Sequence, residues 1–207
     1  VAEEKTSRIA ELLVATIPPS VLLGGKIFAV GLAGLLQIAA FGVTAYAVAP
    51  PSLRAAAGVG GGTFSGVLSS GEIAAFLVFF ALGYFQYATS FAAGASLISR
   101  TEDLGSVTGP MMLPVIIGFF IAQYALLTPD SQVSVAASLI PLLSPFVMFT
   151  RIVVTAVPPW QIALSIVLNV AALGAIVLAA GKLYRVGMLL YGRAPKFGQI
   201  IAVLRSR

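Results

Sequence analysis

Four stretches of this chain hold no charged side chain: those between Lys26 and Arg54, Glu72 and Arg100, Asp103 and Asp130, and Arg151 and Lys182. A bilayer core about 30 Å thick needs roughly 20 predominantly apolar residues of helix to cross it. Each gap is long enough for one crossing. The chain is 59% hydrophobic and only 9% charged, with a mean hydropathy of +1.03, which fits the same reading. The expectation is an all-α integral membrane protein with four transmembrane helices, at about 27–49, 73–99, 110–127 and 161–183.

A fifth stretch, 131–150, is also free of charge. It holds Pro141 and Pro145 together with Ser131, Gln132, Ser134, Ser138 and Ser144. That is a poor composition for a helix facing lipid on its own, because proline removes a donor and clashes within a helix interior. The basic residues decide the count. With four spans and the N-terminus inside, Lys5, Arg8, Lys26, Arg100, Lys182, Arg185, Arg193, Lys196, Arg205 and Arg207 are cytoplasmic, leaving Arg54 and Arg151 outside. A fifth span would move the six tail residues outside, against the positive-inside rule. The stretch 131–150 therefore reads as a broken, partly inserted (re-entrant) hairpin on the outer face. The organisation that follows is a cytoplasmic segment 1–26, a transmembrane domain 27–183 and a basic cytoplasmic tail 184–207. Both ends of the chain would be cytoplasmic, with the protein in the cell membrane.

Several function classes are excluded by what is missing. The chain has no cysteine and no histidine, so disulfides, thiolate metal sites and the usual general base are unavailable. No catalytic residue and no metal-ligand set can be nominated, and an enzyme is not expected. A phosphate-binding loop needs a glycine, four residues, then Gly-Lys-Ser/Thr. After Gly25-Lys26 comes Ile27, and Gly58, Gly60, Gly61 and Gly62 are followed by no lysine, so the chain binds no nucleotide of its own. The net charge of +5 reflects juxtamembrane basic residues facing anionic lipid rather than nucleic acid. Residues 1–11 carry three acids and no signal-peptide pattern. The opening residue is Val rather than Met, which raises the expectation of further segments upstream.

Residues 3–16 place Ile9, Leu12 and Leu13 on one helical face, with Glu4 and Arg8 at i,i+4 spacing and Pro18-Pro19 as a stop. Such a helix either lies at the headgroup interface or docks a cytoplasmic partner; the pattern alone leaves both open. Within the spans, Gln37, Gln86, Gln123 and Asn169 are the uncharged groups with the greatest hydrogen-bonding capacity. They read either as helix-to-helix ties or as the lining of a translocation path. Small residues at Ala88/Ala92/Ser96 and Ala171/Ala175/Ala179 have the spacing of close helix approach.

Ordered motifs carry one further reading. They are Glu4-Lys5-Thr6-Ser7-Arg8-Ile9-Ala10-Glu11, then Leu23-Gly24-Gly25-Lys26, then Gln37, and Ser144-Pro145-Phe146-Val147-Met148 with Arg151. Pro159-Trp160-Gln161 and Lys182-Leu183-Tyr184-Arg185-Val186-Gly187 close the set. In this order they resemble the ABC-2 type transporter permeases, in particular the sodium-extrusion (NatB-like) subgroup. The resemblance implies a six-span permease of which this chain is the C-terminal part. It implies that Glu4, Arg8, Glu11 and Leu12 belong to a coupling helix seated on a separate ATP-binding subunit, which alone would hold ATP and Mg²⁺. It implies that Ser144, Pro145, Met148 and Arg151 belong to the outer re-entrant hairpin, and that a second permease copy or paralogue completes the path. The implied activity is ATP-driven export, of Na⁺ or of drugs; the alternative is a non-transporting membrane scaffold or a degenerate permease fragment.

The absence of native cysteine makes the topology directly testable. A cysteine placed at Ser206 should be labelled by an impermeant maleimide only from the cytoplasmic side, and one at Gly60 only from outside. Labelling from the opposite side at either position would overturn the four-span arrangement.

Overall fold

The computed structural model describes residues 19–48, 69–96 and 104–189, and every regular element among them is helical. The helices are α1 Pro19–Val48, α2 Ser70–Ser96, α3 Leu104–Leu127, α4 Gln132–Ala137, α5 Ser144–Val154 and α6 Pro159–Leu189. Four stretches are long and apolar enough to cross a membrane: Gly24–Thr44, Ser70–Ser96, Thr108–Leu127 and Pro159–Gly181. They coincide with the four expected spans. Residues 1–18, 49–68, 97–103 and 190–207 lie outside the described residues, and with them the expected amphipathic helix.

The ends of the helices differ from the expectation in one consistent way: prolines sit inside or at the start of helices rather than marking gaps between them. Proline's fixed φ suits the first turn, where its missing N–H would have had no partner. So α1 begins on Pro19 and α6 on Pro159, and α5 carries Pro145 in its first turn. The third helix starts at Leu104, ahead of the expected 110, and runs through Pro110 and Pro114; membrane helices tolerate such breaks when neighbours satisfy the freed carbonyls. The start of α2 is set by a reciprocal capping box. Ser69 N–H donates to Glu72 Oε2 at 2.5 Å, and Glu72 N–H donates to Ser69 Oγ at 3.3 Å.

Between α3 and α6 the stretch expected at 131–150 forms α4, a turn over 138–143, and α5, which continues to Val154 before Thr155 turns extended. Only Pro141 falls in the non-helical part. At 1.5 Å per residue, the 11 residues of α5 reach about 16 Å, half the thickness of a hydrocarbon core. Ser131 caps α4 by accepting from Ser134 N–H at 3.2 Å.

Helix α2 occupies the centre, packing against α6, α5, α3 and α1, while α3 and α4 close on α5. A small apolar seam of Ala125, Ala137 and Val147 joins α3, α4 and α5. The outward faces are apolar: Phe28, Leu36, Phe41 and Val43 on α1 are each more than 60% exposed. A water-soluble protein would not leave such a surface open; against lipid tails it carries no penalty.

Close approach fixes two of the crossings. A Cβ on Gly83 of α2 would stand 2.8 Å from Pro145 Cβ, and one on Gly118 of α3 would stand 2.9 Å from the Phe146 ring. The first turn of α5 therefore lies against a glycine on two sides. Gly83→Ala should lower unfolding stability in lipid by about 1–3 kcal/mol through overpacking. Gly174→Ala on α6, where a Cβ meets nothing within 4 Å, should be neutral or stabilising. Equal effects of the two, measured by denaturant titration in bicelles, would sink this account.

Candidate functional site

In the first half of α6 the buried side chains are polar. Gln161, Ser165 and Asn169 recur at every fourth position, which puts them on one face of the helix, and all three are buried. Asn169 is the hub. Its Nδ2 donates to Ser165 O at 2.7 Å and to Ser144 Oγ at 3.0 Å, while its Oδ1 accepts from Gln86 Nε2 at 2.8 Å. The Ser165 hydroxyl donates to Ser138 O at 2.9 Å, so its 2.5 Å contact with Ser144 is one in which Ser144 donates. Helices α2, α5 and α6 and the turn after α4 are thereby joined through two carboxamides and two hydroxyls. Gln86 Oε1 is buried with no hydrogen-bond partner among the described residues. Turning that amide over would set two acceptor oxygens against each other at Asn169, so the orientation is dictated by the hub.

One step along α5 is Arg151, 1% exposed and the largest fully buried side chain described. Its Nε donates to Pro129 O at 2.7 Å, and its Nη1 donates to Ser138 Oγ and to Gln161 Oε1, both at 2.9 Å. Asp130 Oδ1 stands 3.6 Å from Nη2, but the Asp130 side chain is 73% exposed. Burying a guanidinium carries a large desolvation penalty that a partly solvated partner offsets only in part. The neutral acceptors arranged along the guanidinium fork supply the rest. Arg151 thus holds the start of α6, the turn after α3 and the turn after α4 against α5.

Beside this polar column, α2, α3 and α5 line a half-open cavity of about 500 Å³, with Phe119, Gln123 and Leu126 exposed on its α3 side. Eight of its fourteen lining residues are aromatic and none is charged. On α2, Phe76, Phe80 and Tyr84 follow one another at four-residue spacing, with the Phe80 and Tyr84 rings 14° from parallel and 6.2 Å apart. Phe76 meets Phe149 of α5 edge-on at 5.4 Å. The Tyr87 hydroxyl donates to Leu142 O at 2.6 Å, and that of Tyr84 to Ile27 O at 2.5 Å, which also ties α1 to α2.

The residues expected to matter separate into distinct places. Gln86 and Asn169 meet in the hub. Gln123 lines the aromatic cavity, and Gln37 is exposed on α1, so the four do not converge on one path. Of the hairpin set, Ser144 belongs to the hub, Pro145 lies against Gly83, and Met148 and Arg151 are fully buried. Glu4, Arg8, Glu11 and Leu12 lie outside the described residues. Ser138, Gln161 and Ser165 were not singled out as a set, although the four-residue spacing from Gln161 to Asn169 was present to be read. The alanines at 171 and 175 are exposed, so α6 approaches α2 on its polar face instead. Among the described residues, no three of His, Cys, Asp and Glu gather into a metal-holding group.

Comparison with known proteins adds a family. Residues 1–182 match the family described as ABC-2 family transporter protein. The chain is 34% identical over 208 residues to the uncharacterized protein YhaP of Bacillus subtilis, covering 99% of this chain and 49% of that protein. It is 27% identical over 205 residues to the uncharacterized protein MJ1024 of Methanocaldococcus jannaschii, covering 99% and 48%. The chain thus spans about half the length of these relatives. No solved structure matches it.

If Asn169 and Gln86 form one unit, Gln86→Leu and Asn169→Leu should each destabilise the protein, and the double variant should lose less than their sum. The coupling should be about 0.6–2 kcal/mol, the range of interhelical hydrogen bonds in membranes. Strict additivity in a denaturant titration would show that the two amides act separately.

Proposed function

This chain belongs to the ABC-2 family of transporter proteins, and on that premise we propose that it is part of the membrane subunit of an ATP-driven exporter. The observation that carries the reading is the family match across residues 1–182 of 207. Two features of the chain support it. Four apolar helices provide the membrane-embedded body, and the sequence offers no nucleotide-binding loop, so the energy would come from a separate ATP-binding subunit carrying ATP and Mg²⁺.

In this proposal residues 3–16 form the coupling helix, with Glu4, Arg8, Glu11 and Leu12 seated on the ATP-binding subunit. ATP-driven closure of two such subunits moves two permease copies, or a copy and a paralogue, and alternates access to a path between them. The hairpin formed by α4 and α5 is the outer closure of that path. Its shortness relative to a bilayer and the bonds from Arg151 to the turns at both ends of α4 suit an element that moves as one piece. Both chain ends would face the cytoplasm in the cell membrane, and the cargo assigned by resemblance is Na⁺ or a drug.

The test is co-purification of the full-length protein with its candidate ATP-binding subunit, followed by ATPase assay in lipid. Stable association and altered ATP turnover are expected. Charge reversal at Arg8 or Glu11 should weaken association by at least tenfold while membrane insertion is unchanged. Absence of association for the full-length protein would favour a scaffold or degenerate permease instead.

A further inference from the structure

We propose that the aromatic cavity between α2, α3 and α5 is a binding site for an uncharged, ring-bearing organic molecule. Its identity as cargo rests on the exporter reading; the binding itself does not. Four observations carry it. The volume of about 500 Å³ lies within the 300–1,000 Å³ of small-molecule sites. No charged side chain lines the cavity, so neither an inorganic ion nor a carboxylate or phosphate finds a counter-charge there.

The walls are rings to an extent the rest of the molecule is not. Aromatic residues make up 10% of the chain but more than half of this lining. The outward faces of α1 and α6, by contrast, are largely Val, Leu and Ile. Hydrocarbon tails gain nothing special from rings, whereas flat π-systems gain stacked and edge-on contacts. The Phe80 and Tyr84 rings, nearly parallel, and Phe149, edge-on to Phe76, offer both kinds.

The cavity is also pre-formed. The Tyr84 and Tyr87 hydroxyls are held by backbone carbonyls, and Pro145 is seated against Gly83 at its floor, so little ordering is left for the ligand to bring about. Gln123 contributes the one carboxamide to the lining. A neutral ligand with a single carbonyl or hydroxyl group matches it.

Benzophenone has these properties and crosslinks on illumination. With the full-length protein in nanodiscs of phosphatidylcholine and phosphatidylglycerol, labelling should saturate and map by mass spectrometry to 76–87, 119–126 and 145–150. Excess 9-fluorenone should displace it, while tetraphenylphosphonium and oleate at equal concentration should not. Leu126→Trp, which fills the cavity from an exposed position, should abolish the saturable label. Gln123→Leu should weaken binding about fivefold, the worth of one hydrogen bond. Label spread evenly over the outer helix faces, or unchanged in Leu126→Trp, would overturn the site. Displacement by oleate would make it a lipid groove, and displacement by the cation would refute the uncharged class. Binding that persists where the ATP-binding subunit fails to associate would leave the site standing and the exporter reading refuted.

Discussion

The carboxamide of Asn169 is the contact on which the arrangement of the helices depends. Lipid tails are as apolar as leucine, so burying apolar surface between helices brings little gain inside a membrane. What remains is close backbone approach and hydrogen bonds between helices. Asn169 uses both amide hydrogens and its oxygen to reach Ser165, Ser144 and Gln86, on its own helix and on two others. With Arg151 one step away, this produces a molecule turned inside out relative to a soluble domain. The largest fully buried side chains include an arginine, a glutamine and an asparagine beside Phe79 and Met148, while many valines, leucines and isoleucines face outward.

The two devices divide the labour between them. The hub and Arg151 specify which helices meet and in what register, because a carboxamide or a guanidinium is satisfied only in one geometry. Gly83 and Gly118 then let α5 settle into contact with α2 and α3. Arg151 in particular converts the two short limbs α4 and α5 into one body by reaching the turns at both ends of α4. The aromatic cavity is a by-product of the same geometry: α5 fills the space beside Gly83, and the rings of α2 and α3 surround what it leaves.

Much of this was legible beforehand, and the exceptions have physical causes. Uninterrupted apolar runs are governed by bilayer thickness, so the four spans could be placed to within a few residues. Their ends could not. The first three expected spans start beyond Lys26, beyond Glu72 and at Pro110, whereas the helices run back through these residues to Pro19, Ser70 and Leu104. A charge near a helix end and a proline in a membrane helix with neighbours are both compatible with helix. Gln86 and Asn169 stood out as polar residues in apolar runs. That they bind each other, while Gln37 and Gln123 go elsewhere, depends on helix rotation, which hydropathy does not report. The aromatic cavity was not foreseen at all, since its rings come from three helices and only packing brings them together. Ser165 escaped notice, and Ser138 counted only towards the polar composition of 131–150, because serine is unremarkable until its hydroxyl's partners are known.

The charge-free interior of the four spans has an electrical consequence. A transmembrane potential acts on a protein through charges that cross it, at about 2.3 kcal/mol per elementary charge per 100 mV. Lys26 lies two turns into α1 and Glu72 in the first turn of α2, and between them and the next charges the spans offer the field nothing to pull. These stretches therefore carry no gating charge of their own; among the described residues the buried charge is that of Arg151 on α5.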